Sequence, residues 1–342
     1  PDDDTPAGWN WDAAADVGEL LFCGLKLPMR QRTPKTGVAS ISDEVLQDLL
    51  MDLPMGDDRR GVVEALQGRS EIRKQQGYFA SWRKLRRHDS RIHPTYHWDV
   101  TVTGRTSSRG PNGQQVPRGT EIRRCFVPRP GWKLLEIDYS QIELRLIAEE
   151  SQDPAMLAVL SHPEGDIHRT TAAAVLGKSV VEITEEERQK GKSVNFGYSF
   201  GMFPRRFQYY SRYEYGIPIT LEEAEDFRRA YFAHYTRLEP WHERRKQEVR
   251  ETGRVVSLFG RVRRPSGIYS KNPAERMEAE RQAINFGPQA GASDLAIFAC
   301  CQAGIIEDEI IPIQFGHDSF LFEVREDVVD KWVGILKPTF EG

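Results

Sequence analysis

Lys133-Leu-Leu-Glu136-Ile-Asp138-Tyr139-Ser-Gln141-Ile-Glu143-Leu-Arg145 runs from a short apolar segment into a carboxylate. A second stretch, Ile311-Pro-Ile-Gln314-Phe-Gly-His317-Asp318-Ser319-Phe-Leu-Phe-Glu323-Val324, carries another carboxylate between two apolar runs. The runs read as strands, so Asp138 stands at a strand end and Asp318 at a hairpin turn. Two carboxylates presented in this way can share metal ions. Two divalent cations about 4 Å apart are the basis of two-metal phosphoryl transfer, and oxygen ligands suit Mg²⁺.

Between these stretches lies Arg188-Gln-Lys-Gly-Lys192-Ser-Val-Asn195-Phe196-Gly-Tyr-Ser-Phe200-Gly-Met202. Thr184 followed by Glu187 reads as a capping box, which predicts a helix from there onward. Residues 188, 192, 196 and 200 are four apart and fall on one face of that helix. Two cations followed by two aromatic rings match the outline of a nucleoside triphosphate, charge at one end and a stacking surface at the other.

In this order the three segments resemble motifs A, B and C of family A DNA polymerases, the bacterial DNA polymerase I type. Further segments extend the resemblance: Thr101-Val-Thr-Gly-Arg105-Thr-Ser-Ser with Pro111-Asn112-x-Gln114, Asp166-Ile-His168-Arg169, Arg254 to Arg264, and Arg281-Gln-Ala-Ile-Asn285-Phe-Gly-Pro-Gln289. Together they span about residues 100 to 325. The resemblance implies an α+β fold with polymerase right-hand architecture. An antiparallel palm sheet would carry the catalytic Asp residues, beside helical fingers and a partial helical thumb.

Divided on that pattern, residues 1–100 are a partial thumb and its connection to the palm, mostly helical with a loop near Gln31 to Ser42. Residues 101–160 are the first part of the palm, from a Thr- and Val-rich strand at Thr101-Val-Thr103 through motif A. Residues 161–245 are the fingers, nearly all helix, and 246–342 return to strand, helix and the motif C hairpin. The chain is expected to be a piece of a longer protein, with a short tail after motif C and no room for an exonuclease domain.

Composition agrees with a globular protein: 342 residues, 39% hydrophobic and 29% charged. No apolar run reaches membrane-span length and no signal peptide is visible at the start, so the expected location is the cytoplasm. For a viral or organellar source the equivalents are the host-cell cytoplasm or an organelle matrix. Cys23, Cys125, Cys300 and Cys301 have neither disulfide-framework nor zinc-ligand spacing. Net charge of −4 excludes a uniformly basic coat, so nucleic acid must be met by local clusters such as Arg83 to Arg91, Arg205 with Arg206, and Arg254 to Arg264.

Residue roles follow from the resemblance. Asp138 and Asp318, with the backbone carbonyl of Tyr139, would hold two Mg²⁺ ions, for which Mn²⁺ can substitute. Catalysis is assigned to Asp138, Asp318 and Lys192. Arg188, Lys192, His168 and Gln141 would meet the triphosphate; Phe196 and Phe200 would pack against sugar and base. Glu143 would close off room for a ribose 2′-OH and so select deoxynucleotides. Arg105, Asn112, Gln114, Arg261, Arg281, Asn285, Gln289 and His317 would contact primer-template DNA. Minor-groove acceptors and phosphates carry little sequence information, which suits template-directed copying.

Two positions depart from the family pattern: Ser319 replaces the usual second carboxylate of motif C, and Phe200 replaces a Tyr whose hydroxyl supports the Glu. The expected activity is template-directed DNA polymerisation from dNTPs, with altered metal affinity. Its rivals are a single-subunit RNA polymerase and a non-catalytic DNA-binding accessory homologue. A processivity factor is left unidentified.

Overall fold

In the computed structural model, which describes residues 10–29, 31–33, 37–54, 56–116, 122–306, 308–316 and 318–341, the chain divides into two units, 1–84 and 85–342. The first unit is helical: α1 (Ala14–Glu19), continued by a wider turn at Leu20–Gly24, then α2 (Asp43–Asp52) and α3 (Asp58–Leu85). Ser42 caps α2 by accepting from the Val45 N–H. Val17, Leu21, Val45, Leu49, Val63 and Leu66 form its core.

The second unit is built around an antiparallel sheet. A small ribbon of β1 (Thr95–His97) and β2 (Ser107–Arg109) leads to β3 (Trp132–Asp138). Thr101-Val102-Thr103, expected as a strand, is instead a turn between β1 and β2. The Gly104 N–H donates to the Thr101 carbonyl at 3.3 Å, and the Thr101 hydroxyl donates to the Arg105 carbonyl. These local bonds override β-branched propensity and turn the chain back.

After β3 come α4 (Ile142–Ser151) and α5 (Pro154–Ser161), then a run of helices α6 (Ile167–Leu176), α7 (Glu185–Tyr198), α8 (Pro204–Tyr215), α9 (Leu221–His234) and α10 (Leu238–Thr252). Their starts are marked in the sequence. Asp153 and Asp166 cap α5 and α6, while Thr184/Glu187 and Thr220/Glu223 form full capping boxes on α7 and α9. Tyr198, Phe207, Tyr231, Tyr235 and Trp241 fill the space between these helices. Large rings in contact provide the apolar burial here, and their hydroxyls find partners, as in the 2.6 Å bond between Ser199 and Tyr231.

A short ribbon of β4 (Val255–Val256) and β5 (Val262–Arg263) precedes α11 (Pro273–Gln302), the hairpin β6 (Ile310–Phe315) and β7 (Ser319–Arg325), and α12 (Val329–Glu341). The sheet order is β3-β7-β6, antiparallel throughout. Helix α11 crosses α4 closely because it presents Gly287 and Gly291: a Cβ at Gly287 would come within 2.4 Å of the Glu150 carboxylate. The sheet and the terminal helix bury Phe320, Phe322, Trp332 and Leu336 together.

Candidate active site

Register brings the two Asp residues together. In the β3/β7 ladder Asp138 lies opposite Ser319, and just beyond it the Tyr139 N–H donates to the Asp318 carbonyl at 2.9 Å. Asp138 therefore ends one strand where Asp318 immediately precedes the neighbouring one. At the hairpin the Gly316 N–H donates to the Ser319 carbonyl at 2.7 Å, and a Cβ there would lie 2.5 Å from Ser319 Oγ, so a larger residue would force that hydroxyl to turn away. The Tyr139 ring packs on Phe340 at 5.4 Å, and burial pushes its phenol up to about 12. His317 lies outside the described residues.

Gln141 adopts a left-handed backbone, φ +57°, at the start of α4. The chain turns there so that Glu143 stands in the first helical turn. Glu143 forms an ion pair with Arg105. Burial pushes its carboxyl above the usual range, Arg105 opposes that shift, and the nearby Asp318 charge reinforces it.

On α7 the expected stripe is present up to Phe196. Phe200 falls beyond the last helical residue, Tyr198, in a turn closed by Gly201 at φ +74°. Its ring nonetheless stacks on Phe196, 6.3 Å between centroids at 12°. The strict one-helix reading of Phe200 is thus corrected while the pairing of the rings stands. Arg188 bonds to Asp166 at 2.5 Å and to Glu185 at 3.3 Å. Lys192 has no ion-pair partner among the described residues, which leaves its charge available to an anion.

His168, in the first turn of α6, is buried, and its ring lies 5.8 Å from Phe196. Burial, then the Arg188 charge, bring its imidazole down to about 4, with Asp166 pulling the other way and Lys192 adding to the fall. It is a neutral histidine at pH 7.

Most of the residues expected to bind DNA have protein partners. Both donor bonds of Gln114 are internal, to Thr106 Oγ1 at 2.7 Å and to the Phe315 carbonyl at 3.0 Å. The Asn112 side chain accepts from the Gln114 N–H at 3.0 Å. Arg261 pairs with Asp294 at 2.5 Å, and Arg281 with Glu278 at 2.7 Å. Asn285 and Gln289 share one face of α11 and are half-buried. Asn285 Oδ1 is buried without a hydrogen-bond partner.

Sequence reading missed Glu136. Two residues before Asp138 on β3, it lies on the same strand face, and it lines a cavity of about 350 Å³ with Arg123, Gln314, Asp318 and Ser319. The period of two along β3 was the signal that pointed to it.

The donors suit a hard cation. Asp138 and Asp318 supply carboxylate oxygens at adjacent strand ends, and among the described residues no cluster of three or more His, Cys, Asp or Glu side chains forms a closed cage. An open site with two carboxylates is how Mg²⁺ is commonly held, with water and substrate phosphates completing its coordination. Among the described residues no helix is long and apolar enough to cross a membrane.

The family profile described as "DNA polymerase family A" matches residues 5–342. The chain is 33% identical to "DNA polymerase I" of Pseudomonas aeruginosa, over 98% of this chain and 36% of that protein. It is 31% identical to "DNA polymerase I, thermostable" of Thermus aquaticus, over 98% of this chain and 39% of that one. Among solved structures, the "POL domain of Pol1 from M. smegmatis complex with DNA primer-template and dNTP" aligns with a TM-score of 0.82 at 25% identity, covering 97% of this chain and 57% of that one. The chain spans 36% to 40% of the length of the first curated relatives it matches.

Proposed function

Because this chain belongs to DNA polymerase family A, we propose that it adds deoxynucleoside triphosphates to a primer 3′-OH under the direction of a DNA template. The observation that carries the proposal is the meeting of Asp138 and Asp318 across β3 and β7, with Glu143 paired to Arg105 and within reach of the Asp318 charge. Family A DNA polymerases use divalent metal ions; Mg²⁺ is the ion that the two carboxylates and the Tyr139 carbonyl would hold here, and Mn²⁺ would substitute. When bound, that charge stabilises the attacking and leaving oxygens of an in-line displacement.

The protein's own groups bind and orient. Lys192 and Arg188 meet the triphosphate, His168 and Gln141 lie beside it, and Phe196 with Phe200 forms the surface against sugar and base. Glu143 excludes a 2′-OH. Arg105, Asn285 and Gln289 face the minor groove, with Asn112 and Gln114 supporting the turn beside it; Arg261 and Arg281 meet phosphates once they exchange their carboxylate partners. Residues 1–100 act as a partial thumb, 101–160 and 246–342 as palm, and 161–245 as fingers. Primer-template DNA and dNTPs are the partners, and the cytoplasm the location.

Primer extension on a DNA template tests the reading. With Mg²⁺ and dNTPs the primer should lengthen by template-matched nucleotides, should stop on chelation, and should lengthen far less with rNTPs. DNA binding without extension in either Mg²⁺ or Mn²⁺ would leave a non-catalytic binder as the account, and preferred use of rNTPs an RNA polymerase.

A further inference from the structure

Four buried polar groups in the helical part of the second unit form a chain of hydrogen bonds whose direction can be fixed atom by atom. The Asn195 Nδ2 group lies 3.3 Å from the Ile167 carbonyl, which only accepts, so that atom must be the nitrogen and the amide orientation is settled. Asn195 Oδ1 then accepts from the Thr171 hydroxyl at 3.0 Å. This uses the single proton of Thr171. The 2.8 Å contact between Thr171 Oγ1 and the Tyr235 hydroxyl must therefore have Tyr235 as donor. Burial raises the Tyr235 phenol further above its usual range and keeps that proton in place.

At the other end, Asn195 Nδ2 lies 3.1 Å from His168 Nδ1. Since the amide nitrogen only donates, Nδ1 must accept and cannot carry a proton. We propose that Tyr235, Thr171 and Asn195 form a one-way relay that locks His168 in its Nε2–H tautomer, so that it meets the triphosphate as a neutral hydrogen-bond donor. The role at the triphosphate rests on the polymerase reading; the relay and the tautomer do not. Tyr235, Thr171 and Asn195 are positioning residues, acting through His168.

The charges facing His168 agree. Arg188 and Lys192 on α7 disfavour an imidazolium, and Asp166 on its own helix favours one. Asn195 adds to the cost of protonation, because a proton on Nδ1 would point at the amide N–H. A neutral Nε2–H donor adds specificity for a phosphate oxygen without a third cation beside Arg188 and Lys192.

Nitrogen-15 NMR of histidine-labelled full chain, with His168→Gln used to assign the resonance, tests this directly. The expected spectrum shows a protonated Nε2, a bare Nδ1 and no titration of His168 between pH 5.5 and 8. Asn195→Asp should reverse the tautomer, because a carboxylate accepts from Nδ1–H, and should move titration into the neutral range. In primer extension the same variant should lose about tenfold in kcat/KM for dNTP at pH 8 and recover as the pH falls and Nε2 regains its proton. Thr171→Ser should keep the wild-type tautomer. A bare Nε2 in the wild-type protein would overturn the relay, as would a folded Asn195→Asp with unchanged tautomer and pH profile. If Asn195→Asp does not fold, the wild-type tautomer alone decides. Absence of extension counts against the polymerase reading, with the tautomer still deciding the relay.

Discussion

Arg105 and Glu143, 38 residues apart in sequence, are joined as an ion pair. Phe200, stacked on Phe196 just beyond the end of α7, has no hydroxyl to offer a carboxylate. Arg105 is therefore the group that holds Glu143 in place. Glu143→Ala should lower discrimination against rNTPs by about tenfold or more, and Arg105→Ala by a smaller factor, read as the ratio of dNTP to rNTP incorporation efficiency. The double substitution should lose little beyond Glu143→Ala, since the two act as a unit. An unchanged ratio in Arg105→Ala would refute the assignment.

Gly191 sets the distance between α6 and α7. A Cβ there would meet the His168 carbonyl at 2.1 Å and the Ala172 N–H nitrogen at 2.8 Å, both backbone atoms that cannot swing aside. Gly191→Ala should push α7 away from α6 and displace Lys192, costing about 1–3 kcal/mol of stability together with a rise in KM for dNTP. Denaturant unfolding and steady-state kinetics check the two effects. Alanine tolerated in both would contradict the close approach.

What the sequence made legible was whatever depends on near neighbours. The capping box at Thr184, the strand ending at Asp138 and the hairpin around Asp318 all have signals within a few residues. Phe200 shows the limit of that reading, because the helix ends at Tyr198 before the four-residue period is complete. The partners of Arg105, Arg261 and Gln114 were invisible, since each is set by tertiary packing across 33 to 201 residues. His168 looked like a lone histidine; its burial and its link through Asn195 to Tyr235 exist only once α6, α7 and the end of α9 are assembled.

Glu323 is buried on β7 between two arginines with unequal holds. Arg129 gives it a backbone bond at 2.6 Å and side-chain bonds at 2.9 and 2.7 Å, whereas Arg91 reaches it at 3.0 and 3.4 Å. Together they hold its carboxyl below the usual range against the cost of burial. Arg129→Ala should destabilise the protein by about 2–4 kcal/mol and Arg91→Ala by about 1 kcal/mol or less, as measured by chemical denaturation. The reverse order would contradict the geometry.

Glu150 gives a pH-dependent case. Its Oε1 is buried without a hydrogen-bond partner, and burial pushes its carboxyl above the usual range despite Arg245 nearby. A raised folded pKa means the native state binds more protons than the unfolded chain above the ordinary value of 4.5, so the carboxylate's contribution to stability falls as pH rises through its folded pKa. Glu150→Gln should therefore stabilise the protein by about 1 kcal/mol at pH 8, with the gain fading toward pH 4.5. Thermal unfolding across that range checks the sign, and a gain that grows as pH falls would contradict it.

The most direct test of the account is single-turnover addition of one dNTP to a labelled primer on a DNA template with Mg²⁺, comparing the wild-type chain with Asp138→Asn and Asp318→Asn while primer-template affinity is measured in parallel. Each substitution should lower the rate by about a thousandfold or more and leave DNA affinity within a few-fold. Incorporation by Asp318→Asn at the wild-type rate would contradict the claim that these two carboxylates, meeting across β3 and β7, are the catalytic pair.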